Sequence, residues 1–560
     1  MGNYFGLRGK SLNWAISIIA GCDFLLFGYD QGVTGGILTL PAFQNQFPSI
    51  SPEMEGIPEN EVSTRATNQG IAVASYNLGC FLGAIITIFI GNPLGRKRMI
   101  ILGTAIMVIG AALQASATTV EHFIIGRIIT GLGNGGNTST VPTWQSETCS
   151  AHKRGKLVMI EGALISCGIM ISYWIDLGMS FAPGSVAWRF PLALQIAFCL
   201  FILAFVWNLP ESPRWLVLKG RHDEARTVIA AIADLPEDDD YVKNEYIVIK
   251  ETVDEMSKGS FKDLFTMDKN RNLHRTLIAY VNQMFQQVTS KICGINLITY
   301  YAAVIYSNLG MTRFMSHLLA ALNGTEYFIA SWPAVFLVER VGRRKLMLFG
   351  AVGQAVTMAI LAGVNSQPNV YACQITGIVF LFVFNTFFAI GWLGMTWLYP
   401  AEIVPLRIRA PANALSTSAN WIFNFMVVMI TPVAFSTIKW KTYLVFAIIN
   451  AFIVPCVYFF FPETAYRSLE EMDSIFAKVG TGWKGAFTVI GQAEREPRRY
   501  GNNGELLIHY DDVKEGEGRA TTRENRAEGS SGDSVSSNGA AGGVWARQDE
   551  ETQNVEKEKM

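Results

Sequence analysis

Between Thr376 and Ala401 the chain runs for 26 residues without a single charged side chain. An α-helix rises about 1.5 Å per residue and the hydrocarbon core of a bilayer is about 30 Å thick, so some 20 apolar residues are enough to cross it. Twelve stretches meet that template, at roughly 12–36, 68–91, 99–117, 122–143, 157–178, 189–209, 273–306, 315–338, 346–364, 371–398, 411–434 and 442–461. Lipid offers the backbone no hydrogen-bond partner, which leaves a helix as the form for such segments. The expected fold is therefore an all-α membrane protein of twelve transmembrane helices. Only 16% of residues are charged, against about 25% in a soluble domain. The net charge of −1 supplies no field that would draw in nucleic acid. The eight cysteines sit mostly within apolar runs, without the clustered spacing of a disulfide framework or a zinc site, and read as packing residues. The first apolar run is too long for a cleaved signal peptide and reads as a retained span.

Twelve spans place both termini on one side, and basic loops choose that side because Lys and Arg are retained in the cytoplasm. One set of loops carries Arg96, Lys97 and Arg98, then Lys153, Arg154 and Lys156, then Arg340, Arg343, Arg344 and Lys345, then Arg407 and Arg409. The other set carries little beyond Arg65, Arg189, Arg313, Lys439 and Lys441. Both termini are predicted to be cytoplasmic, and about Thr39 to Thr67 is an acidic outer loop. The domains expected are an N-terminal six-helix bundle (1–209), a charged cytoplasmic middle segment (210–272), a C-terminal six-helix bundle (273–475) and a disordered cytoplasmic tail (476–560), too polar to fold alone.

The two sets of six spans repeat each other. Gly95-Arg96-Lys97-Arg98 follows the second span and Gly342-Arg343-Arg344-Lys345 the eighth, 247 residues later. Glu147 and Arg154 follow the fourth span seven residues apart; Glu402 and Arg409 follow the tenth with the same spacing, at an offset of 255. Pro210-Glu211-Ser212 and Pro462-Glu463-Thr464 close each set, at an offset of 252. Parallel six-span repeats meeting at a midplane site are an architecture of secondary transporters. Arg96, Glu147, Arg154, Glu211, Glu339, Arg343, Glu402, Arg409 and Glu463 are then candidates for a cytoplasmic gate, ion pairs that latch the halves and release as they rock. The plainer reading is that these charges only fix topology.

With those landmarks on the page, the chain resembles the sugar porter family of the major facilitator superfamily. Pro210-Glu-Ser-Pro-Arg-Trp-Leu216, Pro462-Glu-Thr-Ala-Tyr-Arg-Ser-Leu-Glu-Glu-Met-Asp473, Gly126-Arg127 with its following glycines, and Tyr399-Pro-Ala-Glu402 carry the likeness, which runs from about 12 to 475. Phe27-Gly-Tyr-Asp-Gln-Gly-Val-Thr-Gly35 looks like the first span of the fungal branch. The resemblance implies two six-helix pseudo-repeats working by alternating access, and a small polyhydroxylated solute carried across the plasma membrane, often with a proton.

A sugar site wants uncharged donors and acceptors plus aromatic faces. An amide offers both, and leaving one buried and unpaired costs about 1–3 kcal/mol, which is how a wrong solute is rejected. Gln286, Gln287, Asn296 and Tyr300, with Tyr301 beside it, supply that chemistry in the seventh span, and Trp397 and Asn420 match family sugar-contacting positions. Ordinary interhelical hydrogen bonding or aromatic packing is the alternative for each. Two features depart from the family. Asn296 falls nine residues after Gln287 instead of five, as if Ser290-Lys-Ile-Cys293 were inserted, either an unwound segment or a misplaced splice boundary. In the fifth span Glu161-Gly162 and Ile169 stand where glutamines are common; Glu161 would bind substrate, join the latch or cap its span, the last two being favoured.

Ionisable residues within spans are costly and functional by default. Asp30, late in an outward-running span, and Arg127, early in an inward-running one, fall at matching depths in the outer half. They form the expected proton-coupling pair, with a static ion pair as the alternative. Gly131-Leu-Gly133-Asn-Gly135-Gly136 fits a dinucleotide fingerprint, but it lies inside a span and reads as close helix packing. Asn137 and Asn323 head glycosylation sequons inside spans and should be unmodified. No phosphate-binding loop or H-E-x-x-H cluster occurs. The chain is therefore expected to be no enzyme, to need no cofactor or metal, to act as a monomer in the lipid bilayer, and to have a small-molecule sugar and protons as partners. A non-transporting nutrient sensor, a proton-independent facilitator and a polyol or quinate carrier are the competing readings.

Overall fold

In a computed structural model the chain is helical at each of the apolar stretches, and residues 4–496 are described except 5, 55, 149–153, 258, 260, 268–269, 292–294, 368, 468 and 480–483. The first six spans are Gly9–Ile37, Glu59–Leu94, Arg96–Ser116, Val120–Thr148, Arg154–Met179 and Val186–Val206. The seventh is described over Asn272–Lys291 and Ile295–Asn308; residues 292–294, within the stretch where the sequence suggests an insertion, lie outside the described residues. The eighth and ninth are Arg313–Val341 and Arg343–Asn365. The tenth runs Tyr371–Phe388, passes through a π-helical turn at Ala389–Leu393 and continues as Met395–Ile403. Arg409–Thr437 and Lys441–Phe460 complete the set. Among the described residues nine helices are long and apolar enough to cross a membrane by composition alone. The fourth, seventh and eighth spans are not among those nine.

The apolar surface points both ways. Trp144, Trp188, Trp392 and Trp421 are fully buried, whereas Phe89, Ile109, Ile125, Phe336, Ile448 and Phe452 stay exposed on the outside, as lipid-facing residues do. Between the bundles, Pro213–Leu218, His222–Ala233 and Asp240–Ser257 form a small unit with its own core of Trp215, Leu216, Val228, Ile229, Tyr246 and Val253. Across the seam between bundles the second span packs on the eleventh, the fifth on the eighth and the first on the seventh.

At one end, called the basic end here, lie the Arg-rich loops; at the far end lies the 39–67 segment. That segment is folded: Pro41–Gln46 and Pro48–Ile50 are short helices. Phe43 and Phe47 pack against Phe123 and Trp188, three of the pairs edge-on and Phe47–Phe123 tilted, with ring centroids 5.4–5.8 Å apart. The polar tail also departs from expectation at its start. Leu469–Lys478 and Lys484–Arg495 are helices, the second laid along the twelfth span with Phe487 on Phe460 and with Val489 and Ala493 buried. Its apolar residues fall at i, i+4, which an average composition hides. Residues 497–560 lie outside the described residues.

Candidate functional site

The first span brings Asp30 into the core of the N-terminal bundle, where both it and Arg127 of the fourth span are fully buried. Arg127 donates from Nη1 to Thr34 Oγ1 at 2.7 Å and from Nη2 to the Val73 carbonyl at 3.2 Å, and lies 5.2 Å from the Tyr76 ring centroid. Arg127, Tyr76 and Gln195 face the Asp30 carboxylate. The predicted pair is thus buried in the same bundle, but among the described residues the two make no ion pair within 4.0 Å: the guanidinium donates to neutral acceptors and the Asp30 oxygens have no hydrogen-bond partner.

Nearer the seam, the seventh, tenth and eleventh spans bring together amides and indoles with unmet hydrogen bonds. Asn420 is buried with Oδ1 unpartnered, Trp397 Nε1 is unpartnered, and Asn282 and Asn424 are each buried with both amide atoms unpartnered. Gln283 Nε2 reaches the Thr396 carbonyl at 3.0 Å but leaves Oε1 free of a partner. Trp397 stands edge-on to Phe24 of the first span, centroids 6.1 Å apart, so the indole bridges the two bundles. Buried polar atoms left unpaired are costly; a bound solute bearing many hydroxyls would satisfy them. Tyr300 has another task, donating to Asn77 Oδ1 at 3.2 Å across the seam. The side chains of Gln286, Gln287 and Asn296 lie outside the described residues. Asn282 and Asn424 were not singled out from sequence; Asn424 sits four residues from Asn420, on the same helical face.

The repeated landmarks of the basic end form two matching constructions. Arg96 donates from Nε and Nη2 to both oxygens of Glu147, at 2.9 and 3.0 Å, and Ser212 Oγ donates to Glu147 at 2.5 Å. Arg343 likewise grips Glu402 at 3.1 and 2.7 Å, and Thr464 Oγ1 donates to Glu402 at 2.6 Å. Glu211 accepts from the backbone N–H groups of Arg96 and Lys97, and Glu463 from those of Arg343 and Arg344. Each glutamate thereby satisfies the orphan donors at a helix start. Burial pushes the Glu211 carboxyl above its ordinary range despite those bonds. Gly95 (φ +92°) and Gly342 (φ +95°) make the turns, in a region that disfavours side chains. A third correspondence was missed from sequence because the residue types differ: Trp144 Nε1 donates to the Pro210 carbonyl and Tyr399 Oη to the Pro462 carbonyl.

Both sets therefore close within their own bundle in this structure. Arg343 also pairs with Glu339 at 2.7 Å. Arg409 reaches the Val404 carbonyl at 3.4 Å, and the Arg154 side chain lies outside the described residues. The Glu-Glu-Met-Asp signature adds Asp473, whose carboxylate meets the fully buried Arg275 at 2.5 Å. Hydrogen bonds that join the bundles gather mostly toward the far end: Tyr173 Oη to the Thr299 carbonyl at 2.7 Å, Trp174 Nε1 to Thr325 Oγ1 at 2.9 Å, Tyr300 to Asn77, and Thr39 Oγ1 with His317 Nε2 at 3.0 Å, with Ser166 Oγ to Ser331 Oγ at 3.4 Å midway along the seam. Gly35 permits the first span to approach the Thr299 carbonyl, which a Cβ would meet at 2.7 Å.

Among the described residues Glu161 neither caps its helix nor joins the latch. It is buried in the core with both oxygens unpartnered, facing Asp23 of the first span. The two sequon asparagines are buried as well, Asn323 accepting from Asn385 Nδ2 at 2.7 Å and Asn137 donating to Asp23 Oδ1 at 2.7 Å. Glycines 131 and 135 press the fourth span onto the Tyr76 and Cys80 carbonyls of the second, which accounts for the glycine run. Among the described residues no three His, Cys, Asp or Glu side chains are placed to hold a metal ion.

Comparison with known proteins agrees with this architecture. The family model "Sugar (and other) transporter" matches residues 15–476. The Sugar transporter STL1 of Saccharomyces cerevisiae is 39% identical over 551 residues, covering 95% of this chain and 94% of that protein. The major facilitator superfamily transporter mfsA of Aspergillus fumigatus is 40% identical over 499 residues, covering 86% and 90%. Among solved structures, the proton:xylose symporter XylE superposes with a TM-score of 0.69 at 23% identity, over 84% of this chain and 100% of that one. The chain belongs to the sugar porter family of the major facilitator superfamily and is a multi-pass membrane transporter, not an enzyme.

Proposed function

We propose that the protein is a sugar:proton symporter of the plasma membrane, working as a monomer by alternating access, with both termini in the cytoplasm and the basic end facing inward. Its solute is a neutral hexose, pentose or related polyol, recognised by Trp397, Asn420 and the amides of the seventh span. The gate residues of the basic end tie each half into a unit that moves against the other. The observation that carries the coupling is the buried pocket in which Arg127 is held by neutral acceptors and faces Asp30 without an ion pair. A proton entering from an acidic exterior neutralises Asp30 and leaves Arg127 to its neutral partners, so the pocket tolerates closure around solute. An ionised Asp30 instead resists the fully dry state.

Uptake of a labelled panel of hexoses, pentoses and polyols in a transport-null cell, with and without a protonophore, tests this. Accumulation that collapses with the protonophore is expected, and Asp30→Asn should abolish accumulation above the external concentration. Uptake insensitive to the protonophore makes the chain a facilitator; surface expression without uptake makes it a sensor. An Asp30→Asn variant that still concentrates sugar removes Asp30 from the coupling.

A further inference from the structure

Asp30 is not the only carboxylate in the core of the N-terminal bundle. Asp23 lies seven residues earlier on the first span, two turns or about 10 Å toward the basic end on the same face. It is 1% exposed; Oδ1 accepts from Asn137, which also donates to Thr104 Oγ1 at 2.9 Å, and Oδ2 has no partner. Glu161 of the fifth span faces it, 2% exposed, with neither oxygen hydrogen-bonded. Among the described residues, Cys199 of the sixth span faces both Asp23 and Asp30, and Cys22 adjoins Asp23. Among the described residues neither carboxylate makes an ion pair; Asp30 makes none either, but Arg127 is a cation in its surroundings.

Two buried carboxylates on packed helices, with no cation paired to either among the described residues, cannot both be ionised, because desolvation and mutual repulsion act in the same direction. We propose that Asp23 and Glu161 form a second proton-binding site, on the cytoplasmic side of Asp30, from which the coupled proton leaves the protein. The proposal rests on the symport reading above. The pair sits beside the seam between bundles: the next residue, Gly162, packs against Gly394 of the tenth span, whose Cα a Cβ at position 162 would meet at 3.2 Å. When the halves rock apart at the basic end this seam admits water, and the pair can ionise. The Asp30 O–H bond breaks and one forms on Asp23 or Glu161, leaving Asp30 ionised before Arg127. That second O–H then breaks to a cytoplasmic water. The same motion that exposes the solute thus exposes the proton.

The experiment is solute efflux from right-side-out membrane vesicles, with outer and lumenal pH varied separately. Wild-type efflux should fall as lumenal pH rises, by up to roughly tenfold per pH unit, the limit for one titrating proton. Glu161→Gln and Asp23→Asn keep side-chain shape, and the new amide at position 23 can still accept from Asn137. Each should flatten the lumenal response to under about twofold while the response to outer pH, carried by Asp30, persists; Glu161→Asp should restore part of the lumenal response. If either amide variant reaches the surface and keeps the wild-type lumenal response, the pair is not the release site. A wild-type protein indifferent to both pH values overturns the symport reading itself, a result distinct from indifference confined to the variants.

Discussion

Glu53 makes the folded outer segment a pH-dependent structure. Its carboxylate accepts from Gln69 Nε2 through both oxygens, at 3.2 and 3.1 Å, and faces Tyr301 of the seventh span. Around it Arg65 holds the Pro48 carbonyl, Asn68 holds the Ser49 carbonyl, and Ile50 is buried. Burial pushes the Glu53 carboxyl from 4.5 up to about 7, against the Gln69 hydrogen bonds. Below pH 4.5 the docked and undocked segments are both protonated and the titration costs nothing. As pH rises toward 7 the undocked form loses its proton while the docked form must keep it, so docking weakens, and above 7 the penalty levels off. At 1.36 kcal/mol per pKa unit that penalty is at most roughly 3 kcal/mol, and less for a partly exposed side chain, which gives about a hundredfold in the undocked population.

Glu53→Gln removes the titration. With Ile50→Cys introduced in both backgrounds, the labelling rate by a membrane-impermeant maleimide reports opening, and the ratio between backgrounds cancels the thiol's own pH dependence. The Glu53 protein should label at the same rate as Glu53→Gln at pH 4.5 and up to about a hundredfold faster at pH 8. A ratio that stays flat across that range means that Glu53 does not keep its proton when docked, and the reasoning fails.

Asn420→Ala should raise KM for the transported solute about tenfold, the size of one lost hydrogen bond to a hydroxyl, with little change in thermal stability; labelled uptake against concentration checks it. Arg343→Ala leaves Glu402 and Glu339 facing each other in a partly buried site and should cost about 2–4 kcal/mol of stability, seen as a lower Tm in detergent, with Glu402→Gln in the same background recovering part of the loss. Val489→Asp places a charge where a side chain is fully buried and should release the Lys484–Arg495 helix from the twelfth span, read as faster proteolytic removal of the tail with uptake retained.

What the sequence discloses follows from how many residues carry each signal. A span is announced by some twenty residues at once, so all twelve were legible. The charge landmarks were legible because the two halves repeat them with the same residue types; Trp144 and Tyr399 do the same job with different side chains, and no comparison of letters reveals that. Asp23, Asn137 and Thr104 come from three different spans and touch only through the fold. Glu161 misled for a related reason: its place in the second turn of a span suggests a cap, but only packing decides which face of that turn looks inward. The terminal helix rests on two buried residues, Val489 and Ala493, too few to move a segment average.

The way the charges close also changes what the repeated motif does. Arg96 and Arg343 each spend a two-pronged contact inside their own half, on Glu147 and Glu402, and Glu211 and Glu463 fasten the following helix starts. These ties bind each bundle into a body that rocks as one. Resistance to rocking comes instead from the seam, where Tyr173, Trp174, Tyr300 and the Thr39–His317 contact join the halves toward the far end. At about 0.5–1.5 kcal/mol net for each hydrogen bond, four of them bias the equilibrium by roughly 2–6 kcal/mol. A ligand needs about 5.5 kcal/mol of differential affinity to carry a two-state protein from 1:99 to 99:1. The seam is therefore weak enough for a bound solute, with a proton on the symport reading proposed above, to shift, and Tyr300→Phe, which deletes one tie without disturbing either charge set, should move the balance toward the form open at the far end by about threefold to tenfold. Labelling of a cysteine placed at buried Thr299 would measure that shift, and an unchanged rate would place the resistance elsewhere than in these four bonds.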